Sequence, residues 1–190
     1  MFTKISLIVL VAFAAMQFSV FAENTEKKPS RRPDIHFVPT PHEVVEVMLR
    51  LADVKEDDLV YDLGCGDGRI VIAAAKKVGC KAIGYDIDPK MVEKSIENVK
   101  KNNLEHLVTI EEADVFELDL SEASVITLYL LPELNVRLIP QLEQLAPGSR
   151  IVSHDFGMAG VQPDVTARVR RENGGHSNVY LWTTPLNKID

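Results

Sequence analysis

Asp58 to Asp88 reads DLVYDLGCGDGRIVIAAAKKVGCKAIGYDID, and this stretch decides the fold. Leu59 to Leu63 is a short apolar run of strand type. Gly64, Gly66 and Gly68 follow at alternate positions, where the missing Cβ allows a tight turn and a close approach of backbone to a ligand. Ile70 to Val78 then reads as a helix whose first amides face the loop and offer donors to a polar ligand. Lys81 to Tyr85 is a second strand, and Asp86 stands at its end, 22 residues after Gly64, where a carboxylate can take both hydroxyls of a ribose. Strand, glycine loop, helix and strand in this order describe a site for a nucleoside-containing cofactor.

A chain of 190 residues with 46% hydrophobic content supports one globular domain. Its formal charge of -7 and pI of about 5.3 carry no electrostatic footprint of a nucleic-acid binder. The two cysteines, Cys65 and Cys80, fall at opposite ends of the expected sheet, out of bonding reach, and are read as free thiols. His36, His42, His106 and His176 are scattered without metal-ligand spacing, so no metal is expected.

Residues 1–22 stand apart. Lys4, the apolar run from Ile5 to Val20 and the small residue Ala22 have the layout of a secretory signal cut after Ala22, which implies export to a periplasmic or secreted location. The alternative is an uncleaved anchor. The run is almost long enough to span a bilayer, and Lys27, Lys28, Arg31 and Arg32 beyond it would hold the domain on the cytoplasmic side, associated with the membrane through residues 1–22. Residues 23–34 read as a polar tether, and 35–190 as the folded domain.

Within that domain, Thr40, Pro41 and Glu43 have the pattern of a helix start, with the hydroxyl as N-cap. Val44, Val45, Met48, Leu49 and Ala52 make its apolar face. Phe37, Val38 and Pro39 are read as packing residues, with a cofactor entrance as the alternative. Asp88 and Pro89 cap and open a helix to about Lys101, with Met91, Val92, Ile96 and Val99 on its buried side. Leu107 to Glu111 is a third strand, close to Asp114 and Val115. Val125 to Leu131 is a fourth, apolar enough to be covered on both faces. Pro132 to Ala146 is helical, and Ile151 to Ser153 is a fifth strand leading into His154, Asp155 and Phe156. Alternating strands and helices imply an α/β fold with a parallel sheet. Val165, Ala167 and Val169 alternate with Thr166, Arg168 and Arg170, and after a turn at Glu172 to Gly175 the run Val179 to Thr183 returns, so an antiparallel hairpin closes the sheet.

From about Phe37 to Pro185 the chain resembles the class I S-adenosylmethionine-dependent methyltransferases, a Rossmann-like family whose seven-stranded sheet ends in such a hairpin. The centre of the resemblance is Asp62-Leu-Gly-Cys-Gly-Asp-Gly68. A nicotinamide fingerprint would place its third glycine at position 69, which is Arg69. The resemblance implies S-adenosyl-L-methionine as cofactor. Asp62 would hold the ammonium of the methionyl part, Gly64, Gly66 and Gly68 would form the close-passing loop, and Asp86 would take the ribose hydroxyls. Asp114 would take the adenine amine, with Val115 against the ring. Asp88 is read as a helix cap, and Asp67 and Arg69 as a pair across the loop.

A narrower resemblance rests on Phe37-Val-Pro-Thr-Pro41, Asp67-Gly-Arg69, Leu128-Tyr-Leu-Leu-Pro132 and Ser153-His-Asp-Phe156. These look like segments of the small protein-lysine methyltransferases of archaea and mitochondria. The Asn/Asp-Pro-Pro-Tyr signature of amino-group methylation on adenine or glutamine is absent, and Tyr129-Leu-Leu-Pro132 holds its place. A protein lysine is the expected acceptor, with no nucleic-acid partner. Tyr129 is the first candidate for orienting the amine, followed by Asp155 and His154 at the same sheet edge. Two alternatives stay open: a methyltransferase acting on a small molecule, and an exported S-adenosylmethionine- or nucleoside-binding protein without turnover.

Overall fold

The computed structural model describes residues 37–189; the expected signal or anchor over 1–22 and nearly all of the stretch read as tether and domain start lie outside them. The elements are α1 (His42–Leu51), β1 (Leu59–Leu63), α2 (Arg69–Val78), β2 (Lys81–Asp86), α3 (Pro89–Lys101), β3 (Val108–Glu112), β4 (Val125–Leu128), α4 (Pro132–Leu142), β5 (Arg150–His154), β6 (Val165–Arg170) and β7 (His176–Thr183). A single 3-10 turn, Val115–Glu117, follows β3. The seven strands of the described residues form one sheet in the order β3-β2-β1-β4-β5-β7-β6. The first five are parallel, and β7 runs antiparallel to both β5 and β6. The expected α/β architecture with its closing hairpin is what the chain adopts.

The period of two along each strand sends alternate side chains to two cores. Val60, Ala82, Val125 and Val152 pack under α1, α2 and α3, against Val44, Met48, Val71, Ala74 and Val99. Tyr61, Leu63, Ile126, Leu128 and Ile151 pack on the other face with Leu138 and Leu142 of α4 and with Trp182. Order reverses between β1 and β4, so the loops after these two strands part at the carboxyl edge and leave a crevice there. At the opposite edge Asp58 accepts from the Ser124 hydroxyl at 2.7 Å and pairs with Arg150, tying the starts of β1, β4 and β5. Cys65, just past β1, and Cys80, just before β2, are both buried and free.

Several local expectations change. Helix α1 begins one residue later than the capping pattern suggests. Its N-cap is Pro41, whose carbonyl accepts from the amides of Val44 and Val45 at 3.0 Å, and no side chain caps it. The Thr40 hydroxyl is buried and hydrogen-bonds instead with His154 Nδ1 at 3.2 Å, while Glu43 accepts from the Glu172 amide at 3.0 Å. A buried imidazole needs a partner more than an exposed helix end does, because water can serve the latter.

On α3 the fully buried positions are Ser95 and Val99, whereas Met91, Val92 and Ile96 are only half-buried. The glycine loop crosses α3 at Ser95, so a small side chain occupies the centre of that contact. Strand β3 is shifted one residue toward the C-terminus, β4 stops at Leu128 and α4 at Leu142. Residues 129–131, apolar but outside the ladder, become the loop over the crevice.

Candidate active site

The crevice is a cavity of about 260 Å³ at the carboxyl edge of β1, β2 and β4. Its floor is the glycine loop. Gly64 has φ +80° and Gly66 +55°, left-handed values that favour glycine. A Cβ on Gly66 would run into the Phe37 ring, and one on Gly64 would come within 2.9 Å of Leu130, so both walls depend on bare backbone.

Asp62 and Thr127 are register partners on parallel strands and point to the same face. The Thr127 hydroxyl donates to Asp62 Oδ1 at 2.6 Å. Asp62 Oδ2, equally buried, has no partner. Burial, opposed by the Thr127 bond and reinforced by the charges of Asp86 and Asp67, pushes the Asp62 carboxyl up to about 7. An unpaired carboxylate oxygen on the cavity wall fits a cation such as an amino-acid ammonium.

Asp86 closes the loop from the other side. Its Oδ2 accepts from the Gly66 amide at 2.8 Å and its Oδ1 from the Asp88 amide at 2.9 Å. Burial raises its pKa despite these two bonds. Each oxygen keeps a second acceptor direction toward the cavity, which suits two vicinal hydroxyls. Asp114 accepts from the Phe116 amide at 3.1 Å, and this turn lays Ala113, Val115 and Phe116 along the wall as a slot for a flat ring. Gln141 donates to the carbonyls of Val115 (3.2 Å) and Leu118 (2.7 Å), and Arg137 lies 3.8 Å above the Phe116 ring, so α4 fastens the slot from behind. The residues fit the expected cofactor: acceptors for an ammonium and a ribose flank an apolar slot for adenine.

Of the expected positions, Asp62, Gly64, Asp86, Asp114, Val115 and Tyr129 line the cavity. Gly66 contributes its amide to Asp86 from behind. Gly68 does not line the cavity; with φ +77° it starts α2, and a Cβ there would strike Ser95 Oγ. Asp88 caps α3 by accepting from the Lys90 amide at 3.0 Å, as expected. Arg69 and Asp67 do pair across the loop, at 2.6 and 2.8 Å, and Arg69 Nη1 also donates to the Thr40 carbonyl at 2.8 Å.

Asp155 is not among the lining residues. Its carboxylate turns to β7, where Oδ1 accepts from the Asn178 amide at 2.8 Å and Oδ2 from the Ser177 hydroxyl at 3.3 Å. His154 is buried too. It bridges Thr40 and Ser177, and burial lowers its pKa, so it is a neutral strut rather than an acid. Tyr129 rests on it with ring centroids 4.0 Å apart. Burial, then the Asp155 charge, hold the Tyr129 phenol protonated.

The outer wall was only partly legible in the sequence. Phe37 and Val38, read as packing residues, line the mouth and are 39% and 58% exposed. Leu130, Leu131, Leu134 and Phe156 complete an apolar wall around Tyr129. Cys65 also lines the cavity, but burial pushes its thiol well above the usual range, which makes it inert. Among the described residues no group of three or more His, Cys, Asp or Glu could hold a metal ion, and no helix is long and apolar enough to cross a membrane.

Comparison with known proteins agrees with this geometry. A family model described as the ANTKMT methyltransferase domain matches residues 62–165, and one described as a DNA methylase matches 16–97. A protein-lysine N-methyltransferase of Saccharolobus islandicus is 44% identical over 158 residues, covering 82% of this chain and 98% of that one. A human ATP synthase lysine N-methyltransferase is 30% identical over 135 residues, 70% of this chain and 57% of that longer protein. Among solved structures, an RNA methyltransferase from Salinibacter ruber in complex with S-adenosyl-L-homocysteine superposes with a TM-score of 0.74 at 49% identity, covering 80% of this chain and 97% of that one.

Proposed function

Because this chain belongs to the family of the ANTKMT methyltransferase domain and is an S-adenosylmethionine-dependent methyltransferase, we propose that it methylates the ε-amino group of lysine side chains in protein. When bound, the cofactor supplies an electrophilic methyl group on a sulfonium. Asp62 then meets the ammonium with its unpaired oxygen, and Asp86 holds the ribose hydroxyls, so the donor's two ends are fixed by carboxylates on adjacent strands.

The observation that carries the reading is the wall facing them. Tyr129, Leu131, Leu134 and Phe156 line the acceptor end without an amide carbonyl or carboxylate of the Asn/Asp-Pro-Pro-Tyr type. A lysine stem suits such a surface. Loss of water there disfavours the ammonium form and releases the lone pair for an in-line approach at about 3 to 3.5 Å. The proton leaves to solvent before transfer, and S-adenosylhomocysteine is the second product. The lysine methyltransferase names of the archaeal and human relatives support the same acceptor.

A second reading, an RNA acceptor, is favoured by the description of the Salinibacter ruber structure. One experiment separates the two. The full chain is incubated with methyl-labelled donor and a cell extract, and the protein and RNA fractions are hydrolysed separately. Label in methyl-lysine supports the proposal; label confined to methylated nucleosides contradicts it. We further propose that residues 1–22 direct export or anchor the domain at a membrane; an N-terminus at Glu23 in the native protein supports cleavage, and one at Met1 supports the anchor.

A further inference from the structure

The backbone turns sharply where β5 ends. Asp155 has φ +57°, left-handed in a residue that is not glycine. Such a conformation persists only where its surroundings over-determine it, and such sites cluster where geometry matters to function. Here the surroundings are specific. The Asp155 amide donates to the Asn178 carbonyl at 2.8 Å, and Asp155 Oδ1 accepts from the Asn178 amide at 2.8 Å, so β7 clasps the residue from both sides. Asp155 Oδ2 accepts from Ser177 Oγ and lies 3.2 Å from His154 Nε2.

The next residue is locked in turn. Phe156 donates its amide to the His154 carbonyl at 2.7 Å, and its carbonyl accepts from Ser153 Oγ at 2.6 Å and from Asn135 Nδ2 at 3.1 Å. Asn135 is fully buried on α4 and also reaches the Gly157 carbonyl at 3.3 Å. The Phe156 ring therefore has one orientation, nearly parallel to Tyr129, with centroids 6.0 Å apart and planes at 15°. Both rings line the acceptor end of the cavity.

We infer that Asp155 is a positioning residue: its left-handed backbone and its carboxylate's grip on β7 set the Phe156 ring against Tyr129, and these rings select an unbranched alkylamine acceptor. The inference rests on the lysine reading for its substrate, but its structural half stands without it. Asp155 is thus not a general base, since both oxygens are held on the β7 side.

The test compares Asp155→Asn, Asp155→Ala and Asp155→Gly in the full chain. Asparagine tolerates left-handed backbone and keeps an acceptor oxygen, glycine keeps only the backbone, and alanine keeps neither. With poly-L-lysine as acceptor, Asp155→Asn is expected within about threefold of wild type in kcat/KM. Asp155→Ala is expected to raise the acceptor KM about tenfold or more, with cofactor Kd within about twofold, and Asp155→Gly to fall between. Equal collapse of kcat in all three variants would indicate a base and overturn the inference, as would an unchanged Asp155→Ala enzyme. The Tyr129 ring proton shifts, which feel the Phe156 ring current, give a readout free of turnover: they should move in Asp155→Ala and stay in Asp155→Asn. If wild type methylates no lysine acceptor, the lysine reading falls, and the ring shifts still decide the role of Asp155.

Discussion

Asp62 and Thr127 face each other across β1 and β4, joined by a 2.6 Å hydrogen bond that satisfies one carboxylate oxygen and leaves the other without a partner. The pKa of Asp62 is thereby raised from 3.8 to about 7. For an acid with a raised folded-state pKa, the native state holds the proton that the unfolded state loses. Stability from this group is full below pH 3.8, declines as pH rises through the window to about 7, and is flat above it. The shift corresponds to a loss on the order of 4 kcal/mol at most. Thermal unfolding at pH 5 and pH 8 should show wild type losing stability relative to Asp62→Asn at the higher pH, and bound cofactor should shrink that loss. Parallel pH profiles for the two proteins would refute the account.

Gly68 packs against Ser95 and has φ +77°. Gly68→Ala should lose about 2 to 4 kcal/mol in urea denaturation, from left-handed strain together with the clash. Adding Ser95→Gly should recover the clash component alone. A Gly68→Ala protein within about 0.5 kcal/mol of wild type would show that the contact is not tight.

Removing one partner of the Asp58–Arg150 pair strands a charge that is largely buried. Asp58→Ala should destabilise by about 3 kcal/mol, and Asp58→Ala with Arg150→Met should regain much of it. Purely additive losses in this double-mutant cycle would mean that the two side chains do not interact.

Thr40→Val removes the hydroxyl partner of His154 and should cost about 1 to 2 kcal/mol. Amide exchange in the first turn of α1 should stay as in wild type, since Thr40 does not cap it. Selective fraying of that turn would restore Thr40 as a cap.

What the sequence disclosed follows from how local each signal is. Glycines at alternate positions, an aspartate closing the next strand and the period of two in the last strands are short-range patterns, and the sheet and the donor carboxylates follow from them. The acceptor wall is not local. Phe37 gains its role by lying over Gly66, and Phe156 by stacking on Tyr129, a partner 27 positions away in the chain. Thr40 had all the marks of a cap, yet a buried imidazole more than 100 residues distant takes its hydroxyl. Asp155 was legible as a residue at the right edge, but its left-handed turn toward β7 has no signature in the sequence.

The most direct test is calorimetric titration of the full chain with S-adenosylmethionine, repeated on Asp86→Ala and Gly66→Arg. Gly66→Arg fills the space under Phe37, and Asp86→Ala removes the acceptor that Gly66 and Asp88 orient. The expected result is one site per chain in wild type, affinity weakened about tenfold or more in Asp86→Ala, and no detectable binding in Gly66→Arg. Wild type without binding heat, or either variant binding as wild type does, would contradict the placement of the donor between Asp62 and Asp86.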